Sequence, residues 1–269
     1  MKFSIIINTH NQKKYLNKAI MSCLSQDFKD YEIIICDTSD KKRYSKFNKA
    51  QTKKKIYYFH FLPKYSQPEL NQMHKVFFGI KKAKGDFICL MDGDDYFHNK
   101  KLYFLNRLIN NKKILCNQDN PSLIKDGHLI KKNIREKKYK NNILFNTFFN
   151  NWPQIYGTSS IVVKKKILET FFKRAKPFNW KYLAIDAQLI IFCKINFKIT
   201  KNLKNITKKR IHNKNLGNTY MSLFKKKFWI RRYMQHQYYT FLTKKKIINF
   251  DTIITACLSY FMKKLYIEK

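Results

Sequence analysis

Three apolar runs near the start of the chain each stop at residues whose side chains carry oxygen. Residues 3–7 run into Asn8, Thr9 and His10; residues 31–36 end at Asp37; residues 87–91 end at Asp92. Unbroken apolar runs this short are strands covered on both faces, as in parallel sheets. Between them the spacing turns helical. Tyr15/Leu16, Ala19/Ile20 and Cys23/Leu24 recur every fourth residue, with Asn11 as the predicted N-cap. Leu70, Met73, Phe77 and Ile80 mark a second helix that Gly85 is expected to end, and Leu102, Leu105, Leu108 and Ile109 mark another. Strands and helices in alternation predict an α/β fold, an open and mostly parallel twisted sheet flanked by helices. Ligands of such sheets bind outside the carboxyl ends of the strands. Thr9, Asp37 and Asp92 are therefore expected to gather at one edge.

From about residue 112 the alternation weakens. Residues 122–132 read as a hairpin around Asp126-Gly127. Residues 145–156 are rich in aromatics, 160–163 read as a strand, and 167–172 as a short helix. Residues 187–193 look helical, opening just after Asp186. After Leu216 the chain becomes basic, aromatic and helical. The expected organisation is a main domain over 1–217 and a basic amphipathic helical region over 218–269.

The chain carries 56 Lys+Arg against 17 Asp+Glu, a net charge of +39. Such a field draws polyanions: nucleic acid, anionic lipid surfaces or phosphate-bearing substrates. Abundant Lys, Asn and Ile also fit drift in an AT-rich coding sequence, a bland source for part of the basicity. The six cysteines form no C-x-x-C pair. They read as small buried hydrophobes in a reducing compartment, neither a disulfide framework nor a zinc site. No run approaches the roughly 18 apolar residues of a membrane span. The expectation is a cytoplasmic protein, peripheral at most on the inner face of the cell membrane.

In so basic a chain, Asp92-Gly93-Asp94-Asp95 stands out. Two carboxylates one residue apart, on a turn after a buried strand, can share a divalent cation. Hard oxygens suit Mg2+ or Mn2+, which bridge protein carboxylates and substrate phosphates. A solvated Asp-Gly turn is the alternative. Asp37 can accept hydrogen bonds from a ribose or base, or can cap a turn. Asp186 reads as a helix N-cap or as a general base taking a proton from an attacking hydroxyl. His212, in Arg210-Ile211-His212 with Asn215 nearby, can ligate metal, contact phosphate or sit in a basic surface loop.

These segments resemble family 2 glycosyltransferases, which have a GT-A fold. Residues 4–11 are similar to that family's opening strand and loop, with Asn8 where the family has proline. Residues 32–37 resemble its second strand and acidic nucleotide contact, and 85–95 its metal-motif strand. Residues 157–168 resemble the acceptor-side strand and helix, Ile185-Asp186 its acidic pair with the first acid missing, and Arg210-Ile211-His212 a late motif. The resemblance covers roughly 3–217. It implies transfer of a sugar from a nucleotide-diphosphate donor, most often a UDP-sugar, to a glycan or lipid-linked acceptor of the cell envelope. Thr9, Asn11 and Asp37 would contact the nucleotide, Asp92 the ribose and metal. Asp94 and His212 would ligate Mn2+ or Mg2+, and Asp186 would be the base of an inverting displacement.

Lys225-Lys226-Lys227, Arg231-Arg232, Lys244-Lys245-Lys246 and Lys263-Lys264 alternate with apolar runs in the last fifty or so residues. Ile247, Phe250, Ile254, Cys257, Phe261 and Leu265 fall on one helical face, expected either to dock on the main domain or to lie on an anionic membrane surface. Asp251 and the flanking Lys clusters argue against a spanning segment. Rival readings are a basic nucleic-acid-binding protein, a degenerate transferase scaffold and a nucleotidyltransferase of related fold. The spread of lysines along the chain, the missing nucleic-acid motif and the acidic positions argue against nucleic acid.

Overall fold

The structure is a computed structural model that describes residues 1–40, 56–111, 114–134, 148, 152–202, 204–213, 215, 217, 223–245 and 248–264. Of the segments singled out above, Lys246, Ile247, Leu265 and residues 145–151 other than Phe148 lie outside the described residues.

The first half alternates as expected: β1 (Phe3–Thr9), α1 (Lys13–Leu24), β2 (Tyr31–Asp37), β3 (Ile56–His60), α2 (Pro68–Lys82), β4 (Phe87–Asp92), β5 (Tyr96–Phe97) and α3 (Lys101–Asn111). There follow β6 (Cys116–Asp119), β7 (Ser122–Lys125), β8 (His128–Lys131), β9 (Ile161–Lys164), α4 (Lys165–Arg174), α5 (Ile185–Asn196), β10 (Ile199–Asn202) and β11 (Thr207–Arg210). Two helices close the chain, α6 (Lys226–Thr243) and α7 (Phe250–Lys264).

The main sheet has seven strands in the order β10-β6-β9-β4-β1-β2-β3. All neighbours run parallel except β9, which is antiparallel to both β4 and β6. β1 is central and wholly buried; burying each of Ile5, Ile6 and Ile7 stabilises the fold by about 1.5–3 kcal/mol. Alternating residues of β1 feed two cores. Phe3, Ile5 and Ile7 pack with α1 and α3 on one face, and Ile6 packs with α2, α4 and α5 on the other. After β1 the chain adds β2 and β3 on one side, then returns to place β4 on the other. The crevice between β1 and β4 is thus the topological switch point, where α/β sheets take ligands. Register puts Thr9 opposite Asp37 and Asn8 opposite Asp92, so the three run ends do share an edge.

Two helix boundaries differ from the sequence reading. Asn11 does not cap α1: its φ is +54°, and Gln12 occupies the N-cap position without a side-chain bond. Gly85 does not end α2, which stops at Lys82 with Ala83 extended. It is instead a close approach to β1, where a Cβ would fall 2.5 Å from backbone atoms of Phe3 and Ser4. The hairpin is present, β7 pairing with β8 across Asp126 and Gly127, both at positive φ. It belongs to a second sheet of order β5-β11-β7-β8.

α6 is built into the main body. Tyr238 is fully buried in the same core as α5 and donates its hydroxyl to the Gln188 carbonyl at 3.0 Å, and Trp180 packs on Tyr238 and Phe241. α7 packs on α6 through Asp251, whose carboxylate accepts from Arg232 at 2.6 Å. No helix among the described residues is long and apolar enough to cross a membrane.

Candidate active site

A cleft of about 460 Å³ opens over the β1–β4 switch point. Asn8, Gln72, Lys75, Asp92, Asp94, Asp95, Thr158, Asp186, Lys209, Asn215 and Arg231 are among its lining residues. Of the site residues expected from sequence, Asp92, Asp94 and Asp186 line this cleft. Thr9, Asn11 and Asp37 sit beside it at the β1–β2 end, and His212 touches it through Asp94.

The Asp92–Asp95 turn follows β4 because Gly93 lets it close over β1. A Cβ on Gly93 would meet Thr9 Oγ1 and Gln12 Oε1 at 2.7 Å. Asp92 is held by Asn8, whose amide donates to Asp92 Oδ1 at 2.7 Å and to the Met91 carbonyl at 3.0 Å. Gln72 is a second donor to the same oxygen, Asp92 Oδ1, at 2.9 Å. Burial first, then the charge of Asp94, push the Asp92 carboxyl up to about 6, while Asn8 and Gln72 pull it back. Asp94 Oδ2 lies 2.8 Å from His212 Nε2. Asp95 turns inward: Oδ1 accepts from the Arg210 backbone N–H at 2.8 Å and Oδ2 from Ser159 Oγ at 2.6 Å. Burial raises its carboxyl well above the ordinary range, with Asp94 and Asp92 adding to the shift. Asp95 is thus a strap between the turn and β11, while Asp92 and Asp94 face the cleft.

Asp37 is nearly inaccessible, with Oδ1 accepting from Ser39 N and Oγ and Oδ2 from Tyr58 Oη. Asn11 donates its backbone N–H to Ser39 Oγ, tying the β1 loop to the β2 loop. Asp186 lies in the first turn of α5, which opens at Ile185 and not after Asp186. Ala184 holds the N-cap position, and Asp186 Oδ1 accepts from Ala187 N at 2.8 Å. Ile185 is fully buried in the core, so position 185 faces away from the cleft that Asp186 lines.

Sequence reasoning missed Gln72, Lys75, Lys209 and Arg231. Lys75 is buried and donates to the Thr9 carbonyl at 2.9 Å. Burial lowers its ammonium to about 8 against the opposing pull of Asp92 and Asp37. A lysine at i+3 from Gln72, on the flank of an apolar helical stripe, reads in sequence as solvated surface, and only the packing of α2 over β1 reveals otherwise. Arg231 comes from α6, whose docking no local pattern announces.

Fold and cleft together define a GT-A protein with an acidic turn at the switch point. The family model for glycosyl transferase family 2 matches residues 4–172, and the chain belongs to that family. An uncharacterized glycosyltransferase of Haemophilus influenzae is 31% identical over 137 residues, which is 50% of this chain and 53% of that protein. The GalNAc(5)-diNAcBac-PP-undecaprenol beta-1,3-glucosyltransferase of Campylobacter jejuni is 37% identical over 97 residues, 35% of this chain and 30% of that one. The chain thus matches about half or less of these relatives' own length. Among solved structures, Staphylococcus aureus TarS 1-349 in complex with UDP superposes with a TM-score of 0.63 at 14% identity, covering 100% of this chain and 72% of that one. The mannosyltransferase PcManGT of Pyrobaculum calidifontis, in complex with GDP-Man and Mn2+, gives 0.56 at 10% identity, covering 96% and 69%.

Proposed function

We propose that the chain is an inverting glycosyltransferase. It moves a sugar from a nucleotide-diphosphate donor, a UDP-sugar, to a hydroxyl of a glycan or lipid-linked acceptor in envelope glycan synthesis. The observation that carries this reading is the meeting of Asp92, Asp94 and Asp186 in one cleft at the switch point. Support also comes from structural neighbours solved with UDP, UDP-GlcNAc and GDP-Man, and from a relative named for an undecaprenol-linked acceptor. Residues 1–217 form the transferase unit in this reading, and the basic region 218–269 follows it, its helix α6 adding Tyr238 to the core and Arg231 to the cleft. A lipid-linked acceptor lies at a membrane, so the reading includes peripheral attachment to its inner face.

A carboxylate oxygen and an imidazole nitrogen at the edge of the cleft are ligand types that support a divalent-metal reading. Asp94 Oδ2 and His212 Nε2 are hydrogen-bonded to each other at 2.8 Å, and no cluster of three or more metal-ligating side chains exists among the described residues. Asp94 and His212 would hold the ion, leaving its other positions to phosphate oxygens and water. A bound Mn2+ or Mg2+ supplies neutralisation of the charge that grows on the leaving diphosphate.

Thr9, Asn11 and Asp37 hold the nucleotide at the β1–β2 end, and Asp92, fixed by Asn8 and Gln72, orients the ribose. Asp186 takes the proton of the acceptor hydroxyl as its oxygen bonds to the anomeric carbon. The bond to the diphosphate breaks on the opposite face, which inverts the centre. Asn8, in place of the family's proline, is compatible with activity because its amide steadies Asp92. The test is a panel of UDP-sugars with Mn2+, scored for transfer and for hydrolysis. Absence of metal-dependent donor binding and of turnover across the panel would overturn the reading.

A further inference from the structure

α7 is inside out for a helix facing water. Its inner stripe is polar: Asp251, Thr255 and Ser259, each four residues apart, are 6%, 0% and 1% exposed. Its outer stripe is apolar: Ile253, Ile254, Tyr260 and Phe261 are 52%, 36%, 58% and 59% exposed, and Cys257 is exposed between them. A surface helix ordinarily turns its apolar stripe inward. Here the orientation is set by charge. Arg232 of α6 donates two hydrogen bonds to Asp251 Oδ1, at 3.1 and 2.6 Å, and His236 Nε2 lies 3.6 Å from Oδ2. Turning the apolar stripe inward would break the pairing of Arg232 with the buried Asp251 carboxylate. The face therefore stays outward.

We infer that the outer face of α7 is the surface by which the chain docks on an anionic lipid leaflet. Charge selects this occupant. Exposed Lys263 and Lys264 close the apolar stripe, and Lys244 and Lys245 lie exposed in the turn before the helix. Lys264 Nζ sits over the Tyr260 ring, 5.3 Å from its centroid, so a cation lies against an exposed aromatic of the stripe. An apolar stripe with basic flanks on a helix too polar to span is the pattern of an interfacial helix. A second copy would bring two chains of net charge +39 together at this face. A nucleic acid would match the charge and leave the stripe in water. An anionic leaflet satisfies both. α6, on which α7 rests, also carries Arg231 into the cleft, so docking would hold the cleft in a fixed relation to the membrane. The inference deepens the membrane part of the proposed function and is independent of sugar transfer.

The experiment is co-sedimentation of the full chain with vesicles of phosphatidylglycerol and phosphatidylcholine, against pure phosphatidylcholine. The wild type is expected to pellet with the anionic vesicles alone and to be released by salt, since leaflet attraction is screened. The Ile253→Glu/Phe261→Glu variant should lose roughly tenfold or more of the partitioning. Both side chains are exposed, so its thermal midpoint should stay at the wild-type value. A Phe261→Trp variant should show blue-shifted fluorescence on the same vesicles. Wild-type chain that stays in the supernatant would overturn the inference. So would a double variant that pellets like wild type, which would assign binding to net charge alone. A wild-type dimer in sedimentation velocity that the double variant abolishes, with no vesicle binding, would assign the face to a second copy. Transfer activity measured in parallel with a soluble acceptor separates failure of docking from failure of the glycosyltransferase reading.

Discussion

His212 Nε2 lies 2.8 Å from Asp94 Oδ2, although the two residues are 118 positions apart, one in the turn before β5 and the other just after its partner strand β11. Three contacts fix the pair. The Asp95 carboxylate accepts the Arg210 backbone N–H, Arg210 Nε donates to the Asp94 carbonyl, and the imidazole stacks on Tyr15 at 5.1 Å. In the proposed function this pair would hold the divalent ion that meets the donor's diphosphate. Asp94→Ala and His212→Ala are each expected to reduce transfer on the order of 10²–10³-fold or more. Titration calorimetry should show the loss of Mn2+-dependent UDP binding, with the circular dichroism melt unchanged. Full wild-type activity in excess chelator would contradict the assignment.

Asp186→Asn separates base from binder. The amide keeps the shape and the contact with Ala187 N but cannot take a proton. Turnover should fall about 10²–10⁴-fold while UDP affinity stays at the wild-type value. Normal turnover would leave Asp186 a residue of the first turn of α5 and nothing more.

The edge that carries the site was legible because β1, β2 and β4 are buried on both faces. Burial makes their runs unbroken, and the first polar residue of each then marks a strand end. The antiparallel entry of β9 between β4 and β6 was not legible, since its 160–163 run reads the same in either direction. Asn11 misled because capping residues also tolerate positive φ, the conformation it adopts. The docking of α6 was hidden for a different reason. Its Tyr238 and Trp180 contacts join elements far apart in sequence, and its mixed aromatic and basic pattern points to no single face.

Lys101 illustrates the same limit inside the core. It begins α3, where a lysine reads as solvated, yet it is fully buried. Its ammonium donates to Asp119 at 2.9 Å, to the Ser159 carbonyl at 2.9 Å and to Thr207 Oγ1 at 2.5 Å, above the Phe97 ring. Lys101→Met should destabilise the protein by about 3–5 kcal/mol, because Asp119 would be left buried and unpaired. Lys101→Met with Asp119→Leu should recover much of that loss. Urea unfolding of the single and double variants is the measurement, and equal midpoints for the two would show that the pair is not what the single variant loses.

Stability should also fall with acid through His236. Its imidazole is enclosed by α6 and α7, edge-on to Trp152 at 4.9 Å, with Thr252 Oγ1 3.2 Å from Nδ1. Burial lowers its pKa from 6.5 to about 4; Asp251 opposes the shift and Arg232 adds to it. Between those two values the unfolded chain binds a proton that the folded histidine refuses. The unfolded state then holds more protons, so stability rises with pH across the window. It is therefore fully present above about 6.5, declines as the pH drops toward about 4, and loses no more from this group below that. His236→Gln removes the titrating group and should flatten that decline. Thermal midpoints of wild type and variant, measured above, within and below the window, provide the check. Parallel curves would move the acid sensitivity to the buried carboxylates. A flatter variant would identify the histidine beside Asp251, the residue whose pairing holds α7 with its apolar side outward.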